Sequence, residues 1–119
     1  MGLFSSKKIN DEYWLIQHAH ISRMAHGGHL DFALERALAL YEYSRENGGR
    51  RDQRTLNAMN NLGYLYTKQE EYEKAEYYLL AALEDSEDAF GKYSKEFAVL
   101  CMNIGKMYMA RASHIAARL

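Results

Sequence analysis

The sequence contains no proline among its 119 residues, where ordinary usage of about 5% would supply about six. β-Branched residues are nearly as scarce, with one Val, five Ile and two Thr. Strands draw on those types, whereas helices draw on Ala and Leu, and Ala alone occurs 15 times. These absences argue against a sheet, and with it against the parallel-sheet scaffolds of most enzymes. The single cysteine, Cys101, has no internal disulfide partner, which fits a reducing compartment such as the cytoplasm. No apolar run approaches the ~18 residues of a membrane span, and no signal-peptide core follows the first lysines. Excess charge is missing too: 15 Lys and Arg against 16 Asp and Glu leave a net of -1, without the basic balance that nucleic-acid binding requires.

What charge there is lies unevenly. Residues 70–88 carry eight acids against one base, Lys74, and residues 89–119 carry Lys92, Lys95, Lys106, Arg111 and Arg118 against Glu96. Either these are solvated helix faces, or one end docks electrostatically on another.

An internal repeat organises the chain. Asn61-Leu62-Gly63-Tyr64-Leu65-Tyr66 aligns with Asn103-Ile104-Gly105-Lys106-Met107-Tyr108 at an offset of 42 residues. The same offset relates Tyr72-Glu73-Lys74-Ala75 to Leu30-Asp31-Phe32-Ala33, and Gly91 to Gly49. Met59, Leu62, Gly63 and Tyr66 stand at i, i+3, i+4 and i+7, one face of a helix, and Tyr72, Ala75, Leu79, Ala82 and Leu83 form a second. Gly63 costs a helix ~1 kcal/mol relative to Ala, so close helix packing is its expected role, helped by Ala75 and Ala82. The spacing predicts helices near 11–26, 30–46, 53–68, 72–88 and 94–111, with only the start of a sixth in Arg111–Leu119.

Leu62-Gly63-x-x-Tyr66, then Tyr72-x-x-Ala75 and Ala82, resembles the tetratricopeptide repeat, in the 42-residue form seen in kinesin light chain and its bacterial relatives. The resemblance implies an all-α fold: a right-handed α-α superhelix of antiparallel helix pairs, about two and a half repeats long. The expected organisation is a flexible leader over 1–10 and a repeat domain over 11–119, with units at about 13–52, 55–96 and an incomplete 97–119. The first unit departs from the motif, with His20 and Ile21 in place of Leu-Gly and Met24 in place of Tyr. Either it is a terminal cap, or the Ala25–His29 turn has slipped by one residue. At the other end, either the array continues in a longer protein or another molecule covers the last helix. Many relatives place a proline beside the link between units, whereas here Gly49 and Gly91 alone must end the helices, and looser links are expected.

The resemblance also implies a concave groove lined by the first helix of each unit, which binds a peptide or a partner helix. Carried over by register, the groove residues are Asn57, Asn60, Asn61, Tyr64 and Lys68 in the second unit. The third unit supplies Val99, Met102, Asn103, Lys106 and Met109, and the first supplies Leu15, His18, Ser22 and His26. Asn61 and Asn103 are equivalent; an amide bonds both N–H and C=O of a peptide backbone, or else bonds a neighbouring helix. Relatives that hold acidic chaperone tails use a Lys and an Asn four residues apart. Here those positions read His18 with Ser22, and Val99 with Asn103, so that clamp is absent.

Four histidines (His18, His20, His26 and His29) fall close together, but none pairs at the i, i+4 spacing that holds zinc on one helix face. Ordinary polar roles are expected, with no metal or other cofactor. Cys101 sits among Phe97, Leu100 and Ile104 and is expected to be a buried small hydrophobe. No catalytic constellation stands out, so the expected function is non-catalytic binding of a protein or peptide partner. The alternatives are a self-associating scaffold that covers its own open C-terminal helix and, remotely, a histidine metalloprotein. Met1-Gly2-Leu3-Phe4-Ser5-Ser6 fits an acylation pattern at Gly2, with Lys7-Lys8 as a second signal. Membrane association is expected only if that modification occurs; the plain reading is a leader before a helix capped by Asn10 or Asp11.

Overall fold

The computed structural model describes residues 8–119; Gly2 and most of the leader lie outside the described residues. Five helices follow one another: α1 (Asp11–His26), α2 (Leu30–Gly48), α3 (Gln53–Lys68), α4 (Tyr72–Phe90) and α5 (Lys95–Ala117). There is no strand among the described residues, as the shortage of β-branched types predicts.

The 42-residue register governs how each helix begins and ends. Asn10, Asp52 and Ser94 cap α1, α3 and α5, their side chains accepting from the backbone N–H of Tyr13, Arg54 and Phe97. Each satisfies a donor that the first helical turn leaves unpaired. The turn into the second helix is also repeated. His29 N–H donates to the Met24 carbonyl, and Glu71 N–H to that of Tyr66, both at 2.9 Å. The residue before each donor has a positive φ, 84° at Gly28 and 64° at Glu70, the left-handed step that closes such a helix end. The α1 and α2 boundaries lie 42 residues before those of α3 and α4, so the first unit's turn has not slipped. Gly49 and Gly91 end α2 and α4 at φ 85° and 86°, a region where L side chains are strained.

Packing follows the register with one exchange of sizes. Gly63 meets α4 so closely that a Cβ on it would stand 2.3 Å from Leu79 Cγ. In the first unit the equivalent positions are Ile21 and Ala37, both buried, so the large residue has moved from the second helix to the first. That exchange explains why the first unit lacks the Leu-Gly motif without losing the fold. One continuous core contains Trp14, Ala33, Leu40, Leu62, Leu79 and Met107. Ile9 is buried as well, lying over Gly48. With Trp14 it occupies the positions of a hydrophobic staple on the capped α1.

Two expectations are corrected at α5. Residues 111–117 do not begin a sixth helix; they continue α5 unbroken to Ala117, because no turn residue with a positive φ interrupts them. Cys101 is exposed rather than buried, since no helix lies over that side of α5. The charge asymmetry also resolves differently from end-to-end docking. Asp85 and Asp88 pair with Arg50 at 3.0 Å and Arg51 at 3.4 Å, in the link before α3. Among the described residues no Lys or Arg of residues 89–119 pairs with the acidic segment; His114 Nδ1 alone lies against one of its carboxylates through a ring nitrogen, Glu70 at 2.7 Å.

Candidate functional site

The first helices, α1, α3 and α5, share one face of the array, and the carried-over residues lie on it. Their backbones are held in register by polar rungs. The Asn61 amide donates to His18 Nδ1 at 3.0 Å, and the Asn103 amide donates to Asn60 Oδ1 at 2.9 Å. Both rungs join residue i of one first helix to residue i+43 of the next. The Asn60-Asn61 doublet therefore serves both directions, one amide bonding back to α1 and the other receiving from α5. Part of each asparagine's capacity is thus used between helices; an amide with two donors and two lone pairs retains the rest.

His18 is fixed on its other side by Trp14, whose ring stacks on it at 5.1 Å and 15°. Trp14 Nε1 in turn donates to the buried Ser44 Oγ at 2.9 Å, and that hydroxyl donates to the Leu40 carbonyl at 2.7 Å. A chain of contacts therefore runs from the α2 backbone to Asn61. Trp14 escaped sequence reasoning because its equivalents, Leu56 and Ala98, carry no polar handle that would mark the position.

Two clefts open between α3 and α5. The smaller, about 160 Å³, is lined by Asn57, Asn60 and Val99 and closed at one end by Gln53 and Glu96. The larger, about 360 Å³, gathers Tyr64, Lys68, Asn103 and Lys106 over an apolar floor of Leu79 and Met107. Lys68 Nζ sits 5.4 Å from the Tyr64 ring centroid, a cation–π contact that steadies both exposed side chains. Glu70 also reaches this cleft, but its carboxylate is engaged by His114. Met102 and Met109 stand outward beside the clefts, 54% and 72% exposed. In the first unit Leu15 and His26 are exposed and Ser22 is half-buried, with His26 Nδ1 bonded to the Ser22 carbonyl at 2.7 Å. Leu15 lines a wider cleft of about 810 Å³ together with Asn57, whereas Ser22 and His26 line none of these three clefts. Thr67 and Gln53 line the clefts without being anticipated; neither belongs to the repeated motif.

Helix pairs repeating at one period, with capped starts and glycine ends, define an α-helical repeat protein. Residues 55–94 match the tetratricopeptide repeat family, so the segment formed by α3 and α4 carries a tetratricopeptide repeat. No curated protein and no solved structure matches it. Repeats of this family form protein–protein interaction modules, typically non-enzymatic scaffolds. Among the described residues no helix is long and apolar enough to cross a membrane.

Proposed function

We propose that the protein is a non-catalytic adaptor that binds an extended segment or helix of another protein along the α1–α3–α5 face. The convergence of Tyr64, Lys68, Asn103 and Lys106 on one cleft with an apolar floor supports this reading most directly. Such a surface offers stacking, hydrogen bonding and positive charge around an apolar contact, the mix expected of a peptide groove. Met102 and Met109 add adaptable apolar contact at the rim. The unpaired cysteine fits a cytoplasmic setting.

The test begins with peptides selected against the full chain from a random display library. Tyr64→Ala combined with Lys106→Glu should weaken the selected peptides by tenfold or more, about 1.4 kcal/mol, with circular dichroism unchanged because both side chains are exposed. Undiminished affinity in that variant overturns the groove assignment. Asn61→Ala is a poorer probe, since it also removes the rung to His18.

A further inference from the structure

The register identifies a face of α5 that lacks its cover. In α3 the strip Leu56, Met59, Gly63 and Tyr66 is buried, with α4 pressed against Gly63. Forty-two residues later the strip reads Ala98, Cys101, Gly105 and Tyr108, and all four are exposed. A Cβ on Gly105 would meet nothing within 4 Å. Ala112 and Ile115 extend the strip, giving alternate steps of three and four residues, the spacing of a seam between two long helices. No charged residue interrupts it from Ala98 to Ile115.

Three features select the occupant. First, α3 ends at Lys68 and the chain reverses through residues 69–71 into its covering helix, whereas the equivalent residues 111–113 are helical and α5 continues to Ala117. The hairpin that covers the other first helices is therefore not formed at residues 111–113. Second, the strip complements itself about a two-fold axis. With a second copy antiparallel, Gly105 of one faces Tyr108 of the other, Ala98 faces Ile115, and Cys101 faces Ala112. Every layer thus includes a small residue that admits its opposite number, and the direction is the one in which α4 covers α3. Third, the flanks bring no like charges together: Met102 lies opposite Met109 on one side, and Phe97 opposite Arg118 on the other.

We propose that the protein forms a two-fold dimer in which α5 of each copy covers the Ala98–Ile115 strip of its partner. This is an isologous interface, on a different side of α5 from the cleft residues Asn103 and Lys106, and it stands whether or not a peptide binds there. Glu76 steadies the interface, accepting from the Tyr108 hydroxyl at 2.6 Å and leaving the ring available for Gly105 of the other copy.

Sedimentation equilibrium of the full chain should show the mass rising to that of a dimer with concentration. Gly105→Glu should hold it at the monomer mass over the same range with unchanged helical circular dichroism, because the position is open in the single copy. Ala112→Cys, with native Cys101 retained, should cross-link two copies under mild oxidation, the bond joining Cys101 of one copy to position 112 of the other. Ser113→Cys, turned about 100° around the helix, should not. A chain that stays monomeric, a dimer unaffected by Gly105→Glu, or equal cross-linking at 112 and 113 each overturns the proposal, whether the face is then bare or takes a different protein's helix.

Discussion

Equivalent residues in successive units share a backbone position but not a chemical environment. Ser44 and Ser86 are both fully buried and 42 residues apart. Ser44 accepts from Trp14 and donates to Leu40, whereas the Ser86 hydroxyl has no partner, because Leu56 stands where Trp14 does in the first unit. Removing an unpaired buried hydroxyl relieves a desolvation cost, while removing a paired one strands its neighbour. Ser86→Ala should therefore raise unfolding stability by about 1 kcal/mol, and Ser44→Ala should lower it by about 1–2 kcal/mol by orphaning the indole N–H. Urea denaturation of both variants checks the pair; equal signs would contradict the assigned hydrogen bonding. The serines were visible in the repeat, but their opposite roles were not, since a hydroxyl's partner lies on a different helix.

Among elements, the contrast between Gly63 and Gly105 tests how the second helices pack. One motif places both, yet a Cβ added to Gly63 would stand 2.3 Å from Leu79 Cγ while one added to Gly105 would meet nothing within 4 Å. Gly63→Ala should destabilise the fold by roughly 1–3 kcal/mol, since an added methyl in a packed interface forces the helices apart. Gly105→Ala should stabilise the single copy by about 1 kcal/mol, the propensity difference in a helix interior. Thermal unfolding at low protein concentration, where any dimer is dissociated, measures both. The Leu-Gly motif made the close approach at Gly63 legible from sequence. At Gly105 the motif names a slot and not its occupant; the incomplete third unit was the sequence's only sign that the slot stands open.

The whole molecule is an elongated array rather than a ball. Its extents are 60 × 33 × 21 Å and its radius of gyration is 15.2 Å, against about 13 Å for a compact domain of this length. Each helix packs chiefly on its sequence neighbours, with the α3–α5 contact carrying the link between first helices, so stability spreads through nearest-neighbour interfaces. A tyrosine cluster is one such link: Tyr78 of α4 stacks on Tyr66 of α3 at 5.8 Å and meets Tyr41 of α2 edge-on at 5.7 Å. Burial raises the pKa of Tyr41 and Tyr78 above the ordinary 10.0, with Arg45 partly opposing the shift at Tyr41. A phenol whose folded pKa is raised binds its proton more tightly in the native state. Its stabilisation is full below the unfolded value and is lost as pH rises above 10.0 through the folded value. Stability should therefore fall more steeply above that pH than in a variant carrying Tyr41→Phe and Tyr78→Phe. Parallel denaturation curves for the two proteins across the alkaline range would remove these tyrosines from the account.

Helix class, period and most boundaries were determined by the sequence alone, because they depend on local chemistry: few β-branched residues, apolar spacing, Asn, Asp or Ser at the first-helix caps, and glycine at the links. The candidate groove was legible only as a set of register positions. Which asparagine bonds to which helix, and the meeting of Lys68 with Lys106 at one cleft, required α3 and α5 to be placed side by side. An open last helix was legible in the unfinished third unit, but which residues of α5 form the uncovered strip was decided by tertiary structure. Cys101 read as core from its apolar neighbours in sequence, but burial depends on a neighbouring helix, and here α5 runs straight where α3 is followed by a turn.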